Sequence, residues 1–458
     1  MSARSLPVVT RSTIMDTNAF RPGDPTGGLP PSTARLVERR SGVLGSAYRL
    51  FYREPVHLVR GSGAHVFDAD GNDYLDVYNN VASVGHAHPR VVAAIAEQAA
   101  ALNTHTRYVH ERIVDYSEAL LATMPDEIDR VMYLCTGSEA NDLAVRVARA
   151  YTGGTGVIVS AEAYHGNTEL VSSMSPALGS AQDLGLDVRT VPAPDPYRAS
   201  VAAEDLGQWF ADHVARQVAD LERRGVRMAA FLADSIFSSD GVFSDPAGAA
   251  GFLAPAIEVV RRAGGVFIAD EVQPGFGRTG DAMWGFARHG VVPELVTLGK
   301  PMAAGIPVSA LAARADVLAS FGDRIPYFNT FGGNPVSMAA AQAVLDVLQE
   351  DKLQEHSADV GGRMLTALRA AAADHPRVGD VRGAGLYVGV DLVTDPETRS
   401  PDVPAALDVV EALRERRILT SVCGPGNVLK LRPPLVFDDQ DLDRLIDGFT
   451  DALSALGH

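Results

Sequence analysis

The stretch Gly264–Arg278 reads GGVFIADEVQPGFGR, and it decides what kind of fold to expect. An apolar run over residues 265–270 ends abruptly in two carboxylates, and a glycine-rich turn follows. Short apolar runs of this length are typical of buried strands. An acid at the end of a buried strand is costly unless a cation pairs with it, so Asp270 is a candidate site residue.

The same rhythm continues on both sides of this strand. Apolar runs predict further strands, and amphipathic stretches between them predict helices. The predicted strands cover residues 130–135, 155–161, 228–235 and 294–300, and the predicted helices cover 137–151 and 255–264. Strands that alternate with helical crossovers indicate a mainly parallel sheet with both faces covered. Ligands of such sheets bind beyond the carboxyl ends of the strands.

A second unit is indicated at the two ends of the chain. After residue 335 a long helix at 336–353 leads into strands at 385–393 and 428–433, and a hairpin is expected at 65–80. We therefore expect an α/β protein with a large domain at residues 81–335. A smaller α+β domain is expected from residues 36–80 and 336–458, and residues 1–35 are expected to be a flexible tail.

Composition excludes several classes of function. The chain has 458 residues, is 46% hydrophobic, and carries a formal net charge of −17. Such an acidic protein is a poor partner for nucleic acid or an anionic membrane. No apolar run is long enough to span a bilayer, and the N-terminus lacks the apolar core of a secretory signal. With only two cysteines, Cys135 and Cys423, we expect a reducing compartment and a cytoplasmic location.

A candidate phosphate site lies where a predicted strand meets a predicted helix, in CTGSEAND at residues 135–142. Thr136 and Glu139 have the spacing of a capping box. Gly137 and Ser138 follow Thr136, so backbone N–H groups and two hydroxyls gather at the positive end of the helix, which suits a phosphate. An ordinary capped helix is the alternative interpretation.

Two further segments carry aromatic and acidic side chains to strand ends. Tyr164 and His165 follow the strand at 155–161, where an aromatic ring can cover a flat ligand or merely border a loop. Asp270 is followed by Val272 and Gln273, and it can pair with a protonated ring nitrogen. Its alternatives are a helix cap and a salt bridge to the nearby Arg278.

Lys300 in LGKP ends another predicted strand. Pro301 restricts the backbone at Lys300, and a lysine held away from bulk water has a lowered pKa and can attack a carbonyl. A solvated lysine is the alternative for this residue taken singly. The histidines at 86, 88, 105 and 110 lack acidic or cysteine neighbours at ligand spacing, so no metal site is predicted.

The combination is more specific than its parts. A phosphate cradle, a stacking aromatic, an acid for a ring nitrogen and a nucleophilic lysine are the groups needed to hold pyridoxal phosphate. All of them fall at strand ends of one predicted sheet. The sequence therefore predicts this cofactor.

Five segments carry a resemblance to a known family: FIADEVQPGFGRTG (267–280), LVTLGKPMAAGIPV (295–308), CTGSEANDLA (135–144), AYHGNT (163–168) and YFNTFGGNP (327–335). From about Phe51 to its end, the chain resembles the class III pyridoxal-phosphate aminotransferases of fold type I. The resemblance implies an enzyme that acts on small amines and oxo acids, and a homodimer with shared active sites.

The resemblance also assigns roles residue by residue. Catalysis falls to Lys300, which looks like the Schiff-base lysine, and to Asp270, which matches the acid on the pyridine nitrogen. The remaining matches concern binding. Thr136, Gly137 and Ser138 match the phosphate loop, and Thr330 matches a threonine that reaches the phosphate bound by the neighbouring subunit. Val272 and Tyr164 match the residues on the two faces of the ring, with His165 beside Tyr164, and Gln273 matches the residue near the ring hydroxyl. Arg432 matches an arginine that can bind a substrate carboxylate.

One segment departs from the family pattern. Many members carry Glu-Pro-(Ile/Val)-Gln-Gly where this chain has DSIFSSDG at residues 234–241. Asp234, counted among the cofactor-binding residues, is one carbon shorter than Glu, and Phe237 replaces the amide. Cofactor binding is expected to survive, whereas substrate choice near this loop is open.

Further segments, among them YNNVASVGHAHPRV (78–91) and NVLKLRPPL (427–435), resemble the alanine–glyoxylate aminotransferase-like branch. That branch also contains phospho-lyases, which eliminate phosphate from phosphorylated amino alcohols. Transfer is favoured as the commoner family chemistry, with pyruvate, glyoxylate or 2-oxoglutarate as acceptor, and elimination stays open. A non-catalytic binding protein is disfavoured by the intact Lys300 and Asp270. A Rossmann dehydrogenase is disfavoured because GAGLYV at 383–388 lacks the third glycine.

Overall fold

The computed structural model describes residues 16–21, 23–199, 201–244 and 251–456. In these ranges it contains twelve α-helices: α1 (Pro31–Val43), α2 (Pro89–Ala101), α3 (Glu111–Leu121), α4 (Gly137–Thr152), α5 (Glu169–Ser172), α6 (Leu206–Arg223), α7 (Ala254–Arg262), α8 (Ala315–Gly322), α9 (Pro335–Glu350), α10 (Leu353–Ala372), α11 (Val403–Glu415) and α12 (Asp439–Ala455).

The same ranges contain seventeen strands: β1 (Ala19–Phe20), β2 (Leu50–Phe51), β3 (Leu58–Ser62), β4 (His65–Asp68), β5 (Asp73–Asp76), β6 (Arg130–Leu134), β7 (Gly156–Ser160), β8 (Val188–Val191), β9 (Met228–Asp234), β10 (Val266–Asp270), β11 (Leu295–Leu298), β12 (Ser309–Ala313), β13 (Val378–Gly383), β14 (Val388–Leu392), β15 (Ile418–Leu419), β16 (Ser421–Cys423) and β17 (Val428–Leu431).

The predicted mainly parallel sheet is confirmed. Seven strands lie in the order β6-β12-β11-β10-β9-β7-β8, and only β12 runs against its neighbours. The opening stretch forms β10 at the middle of this sheet, with all five of its residues buried. Strand β12 has the sequence SALAA, which lacks the β-branched and aromatic residues that announce the other strands.

Register within the sheet places three polar side chains in one row. Asp270 at the end of β10 lies beside Asp234 at the end of β9 and beside Thr297 on β11. The three strands are parallel, so these side chains gather at one edge of the sheet. That edge is where parallel sheets bind their ligands.

Helix α4 covers one face of the sheet as its sequence predicts. Its buried residues include the predicted face: Ala140, Leu143, Ala144, Val147 and Ala148. Gly153 ends the helix with φ +65°, a conformation that glycine adopts without strain. The helix begins just after the end of β6, which runs parallel to β11, so its N-terminus lies at the carboxyl edge of the sheet.

Both chain ends contribute to the smaller sheets. One antiparallel sheet has the order β13-β14-β17-β16, and another has the order β15-β5-β4-β3. In the second sheet β5 pairs in parallel with β15, so Leu75 lies beside Ile418. This pairing joins segments from the two ends of the chain, while the domain bounds at 36–80, 81–335 and 336–458 stay predictions.

The N-terminal region differs from the predicted tail in part. Residues 1–15 lie outside the described residues, but β1 pairs with β2, and helix α1 begins at Pro31. The predicted end of the tail at residue 35 therefore falls inside a helix. The first helical position tolerates proline because its N–H would have no partner in the helix, which is why this Pro-rich stretch can still enter a helix.

Across the described ranges, none of the helices has both the length and the apolar character that a membrane crossing requires.

Candidate active site

A cavity of about 320 Å³ opens at the carboxyl edge of the central sheet. The structure brings most of the sequence-predicted residues to its wall: Thr136, Gly137, Ser138, Tyr164, His165, Asp234, Asp270, Val272, Gln273 and Lys300. Arg432 lies directly behind Gln273, to whose Oε1 its Nη1 donates a hydrogen bond. Thr330 is exposed and does not line the cavity.

The N-terminus of α4 forms one end of the cavity. Thr136 and Glu139 make the predicted capping box: the N–H of Glu139 donates to Thr136 Oγ1 at 3.1 Å, and the N–H of Thr136 donates to Glu139 Oε2 at 2.9 Å. The cap leaves the N–H groups of Gly137 and Ser138 for an anion. A 16-residue helix adds the field of its positive end, so this end suits a phosphate.

Glycines keep space open beside Val272. A Cβ added to Gly137 would lie 3.1 Å from both methyl groups of Val272, and one added to Gly299 would lie 3.2 Å from Val272 Cγ1. Both distances are tighter than ordinary contacts. Val272 and Tyr164 both line the cavity, so an apolar and an aromatic side chain are available to a flat ring.

Asp270 is held by three hydrogen bonds at the base of the cavity. Its Oδ2 accepts from His165 Nδ1 at 2.7 Å and from Asn141 Nδ2 at 2.9 Å, and its Oδ1 accepts from the N–H of Val272 at 3.1 Å. The alternative salt bridge to Arg278 is absent among the described residues, because that guanidinium donates to the backbone carbonyls of Leu386 and Pro433. A carboxylate fixed in this way can pair with a protonated ring nitrogen.

Two residues of this network escaped the sequence analysis. Asn141 is 1% exposed, and its Oδ1 accepts from Thr297 Oγ1 at 2.7 Å, so its amide nitrogen must point at Asp270. The available signal was a polar residue on the otherwise apolar face of α4. Thr297 gave no signal, because its place beside Asp270 follows from strand register.

Lys300 lies just past the end of β11, in a short 3₁₀ turn that begins with Lys300-Pro301. Burial lowers its pKa to about 8, and the positive charge of Arg432 adds to the effect. Near neutral pH, the neutral amine is therefore present in a larger fraction of the molecules than it would be for an exposed lysine. This condition favours attack on a carbonyl.

The departing segment after β9 forms a tight loop between the large sheet and the small domain. Burial raises the pKa of Asp234, although its carboxylate accepts a hydrogen bond from Ser238 Oγ. Phe237 is buried with φ +48°, and Gly241 accepts from Arg382 Nε at 2.9 Å. The loop is therefore part of the packed interior and ties the cavity to the small domain.

Arg432 has no acidic partner in the part of the chain that the structure describes, which argues against a purely structural ion pair for this residue. Its guanidinium carbon lies 4.6 Å from the ring centre of Tyr78, and its Nη1 also contacts Asn80 Oδ1 at 3.4 Å. Its Nε has no hydrogen-bond partner. A buried, unpaired guanidinium beside a cavity is suited to an anionic ligand.

In residues 16–21, 23–199, 201–244 and 251–456, no three or more His, Cys, Asp or Glu side chains are grouped so as to hold a metal ion. Near the subgroup motifs, His86 Nε2 instead pairs with Asp76 Oδ2 at 2.7 Å.

Comparison with known proteins agrees with the site. The family model described as "Aminotransferase class-III" matches residues 51–453. A Drosophila melanogaster protein named "Alanine--glyoxylate aminotransferase 2-like" is 39% identical over 93% of this chain and 88% of its own length. A Caenorhabditis elegans protein named "Ethanolamine-phosphate phospho-lyase homolog 1" is 36% identical over 93% of this chain and 94% of its own.

Among solved structures, a phospholyase from Arthrobacter, in complex with phosphoethanolamine, superimposes with a TM-score of 0.87. It is 41% identical, and the match covers 92% of this chain and 99% of that one. The likeness therefore extends over both the large sheet and the segments from the chain ends.

Proposed function

The chain belongs to the class-III aminotransferase family of pyridoxal-phosphate enzymes, and we propose that it eliminates phosphate from a phosphorylated amino alcohol such as phosphoethanolamine. The observation that carries the proposal is the buried guanidinium of Arg432, which lies beside the cavity without an acidic partner. A guanidinium binds phosphate and carboxylate equally well, and the likeness to the Arthrobacter phospholyase supports the choice of phosphate.

The residues of the cavity fit the cofactor. Its phosphate would be held by Thr136, Gly137 and Ser138 at the start of α4, and its ring by Val272 and Tyr164. When bound, pyridoxal phosphate withdraws electrons from the carbon that carries the substrate's amine. The glycines beside Val272 provide the space that the ring requires.

Two residues would perform the acid–base work. Asp270, held by His165 and Asn141, would pair with the ring nitrogen and favour its protonated form. Lys300, with its lowered pKa, takes the proton from the carbon next to the nitrogen. Arg432 neutralises the anionic end of the substrate during this transfer.

The proposed reaction balances without an oxidant or an oxo acid. A proton leaves the carbon bonded to nitrogen, and the bond between the neighbouring carbon and the phosphate oxygen breaks. The unsaturated amine that remains takes up water and becomes acetaldehyde and ammonia. Phosphoethanolamine and water therefore yield acetaldehyde, ammonia and inorganic phosphate.

Transfer of the amine to an oxo acid is the second candidate. It is supported by the name of the Drosophila relative, and in it Arg432 would bind the carboxylate of alanine, glyoxylate, pyruvate or 2-oxoglutarate. The family's commoner chemistry favoured this reaction from the sequence. Membership of the class-III aminotransferase family argues against a role without catalysis.

One experiment separates the two reactions. The holoenzyme is incubated with phosphoethanolamine, with and without pyruvate or 2-oxoglutarate, and both phosphate and new amino acid are measured. Elimination gives stoichiometric phosphate without any oxo acid. Amino acid formation that requires an oxo acid, without phosphate release, would refute elimination and establish transfer.

We also propose a homodimer with shared active sites in the cytoplasm. Thr330 is exposed and does not line the cavity of its own chain. The preceding residue, Asn329, is fixed to the start of α4, because its Nδ2 donates to Glu139 Oε1 at 3.1 Å. Nearby exposed apolar side chains, Phe331 and Val109 among them, favour coverage by a second copy. The two unpaired cysteines favour a reducing compartment.

A further inference from the structure

A group of polar side chains behind Gln273 has hydrogen-bond donors without acceptors. Within the described ranges, Arg432 Nε and Asn80 Nδ2 have no hydrogen-bond partner, and both residues are more than nine-tenths buried. The ammonium of Lys430, which is 3% exposed, also makes no hydrogen bond or ion pair to a described residue. Buried donors without acceptors are costly, so their retention points to a ligand that supplies the acceptors.

Lys430 and Arg432 lie behind the wall of the cavity and are not among its lining residues; Gln273, which does line it, is hydrogen-bonded to Arg432. Lys430 and Arg432 are two residues apart along and just past β17, which places them on the same face. Lys430 Nζ lies 5.8 Å from the ring centre of Tyr387, whose hydroxyl donates to Gln273 Oε1 at 2.9 Å. Arg432 donates to that same oxygen, so Gln273 is the shared boundary between both cations and the cavity.

Positive charge exceeds negative charge at this place. The carboxylate that faces Lys430 is that of Asp234, which accepts from Ser238 Oγ and the N–H of Ile236. Asp270 faces Lys300 and is occupied by His165 and Asn141. The further cation Arg278 is bound only to backbone carbonyls. Burial, with the charge of Arg432, lowers the pKa of Lys430 to about 7, as expected for a cation that lacks a counter-ion.

The residue type is itself informative. The chain contains 40 lysines and arginines, and only three of them are lysines: Lys300, Lys352 and Lys430. Lys300 is the cofactor lysine, and Lys352 is exposed. The third is buried beside the cavity, where a compact ammonium on a flexible stem can follow a ligand that a rigid guanidinium cannot.

We propose that Arg432, Asn80 and Lys430 form a subsite for a dianion, which selects a substrate phosphate or phosphonate over a carboxylate. The proposal rests on the proposed function, since the dianion is the phosphate of the amino alcohol. A carboxylate needs one guanidinium and would leave Lys430 without a counter-ion. A doubly charged group neutralises both cations and offers three oxygens to the unpartnered donors.

Two probes of equal chain length test this subsite. 2-Aminoethylphosphonate carries a dianion and cannot release phosphate, because its phosphorus is bonded to carbon; 3-aminopropanoate carries a carboxylate at the same place. Each is mixed rapidly with the holoenzyme, and its dissociation constant is taken from the first change in the cofactor's visible absorbance. We expect the wild-type protein to bind the phosphonate at least tenfold more tightly.

Substitutions at Lys430 assign that preference. Lys430→Met is expected to weaken phosphonate binding about tenfold and to change carboxylate binding by less than twofold, while Lys430→Arg keeps most of the preference. Lys352→Met, the matched exposed control, should change neither. Equal losses for both probes, or an unchanged ratio in Lys430→Met, would overturn the subsite.

Asn80→Asp provides a second variant of nearly equal volume, should Lys430→Met melt at a lower temperature and lose cofactor. It adds a negative charge and is expected to weaken the phosphonate more than the carboxylate probe; the opposite order would overturn the subsite. The proposed function fails separately. A Lys430-dependent preference for phosphonate without phosphate release refutes elimination alone, whereas phosphate release with a preference independent of Lys430 refutes the subsite alone.

Discussion

Replacing Thr297 by valine should disturb the acid at the base of the cavity without touching it. Thr297 is fully buried, and its hydroxyl donates to Asn141 Oδ1 at 2.7 Å. Asn141 in turn donates to Asp270 Oδ2 at 2.9 Å and to the carbonyl of His165 at 2.8 Å. Valine has nearly the same shape as threonine, so the substitution removes the hydroxyl and opens no large cavity.

The size of the effect follows from the buried acceptor left behind. Asn141 is 1% exposed and its Oδ1 loses a donor, and an unsatisfied buried group costs about 1–3 kcal/mol. If the amide turns over to relieve this cost, it places its oxygen against the carboxylate of Asp270 and removes a donor from it. We therefore expect unfolding to become about 1–3 kcal/mol easier. We also expect cofactor affinity to fall about tenfold, since tenfold corresponds to about 1.4 kcal/mol.

Denaturant titration of the apoprotein and the holoprotein measures both quantities. A pH titration of the bound cofactor's visible absorbance adds a signature of the ring nitrogen, which a merely structural loss would not move. Thr297→Ser keeps the hydroxyl and should restore cofactor affinity and the pH profile. Wild-type stability, affinity and pH profile in Thr297→Val would refute the hydrogen-bonded relay from Thr297 to Asp270.

Three further predictions concern Lys300, its electrostatic neighbour and the subunit boundary. Lys300→Ala should abolish turnover and the visible band of the bound cofactor, whereas the exposed control Lys352→Ala should keep both; a retained band would contradict the assignment. The rate at which the apoprotein recaptures the cofactor should rise as pH passes through about 8, because the reactive form of Lys300 is the deprotonated amine. Arg432→Met removes a positive charge and should move the midpoint of this pH dependence upward. An unmoved midpoint would contradict the electrostatic coupling of Arg432 to Lys300. Inactive Lys300→Ala and inactive Thr330→Asp chains, refolded together, should recover activity because each hybrid dimer holds one intact site; folded hybrids without activity would argue against shared sites.

Periodicity and strand-end residues were sufficient to predict five of the seven strands of the central sheet, and missed β8 and β12. The buried runs that became β6, β7, β9, β10 and β11 have flanking helices and turns that make their type unambiguous. The cavity wall followed because parallel strands deliver their last residues to one edge. Strand β12 was not predicted, because alanine-rich runs have no strong preference between helix and strand.

Residues that act from behind the cavity wall could not be read in advance. Tyr387 and Asn80 reach Gln273 and Arg432 only after the chain ends fold back. Lys430 lies two residues before Arg432, which carries the family resemblance. Only its burial without a counter-ion distinguishes Lys430 from an ordinary exposed lysine, and the sequence does not show that burial. Contacts between residues that are 114 and 352 positions apart leave no local signature in one sequence.

The pairing of β5 with β15 determines when the active centre is made during synthesis. The N–H of Leu75 donates to the carbonyl of Arg417 at 2.8 Å, and the N–H of Arg432 donates to the carbonyl of Val77 at 2.8 Å. During synthesis, the carbonyl of Val77 therefore lacks its partner, the N–H of Arg432, until more than three hundred further residues have been added. The central sheet can form in that interval, since its strands end at Ala313, but the side of the cavity behind which Arg432 lies cannot. A chain truncated before Val428 would keep Lys300 and lack both Lys430 and Arg432.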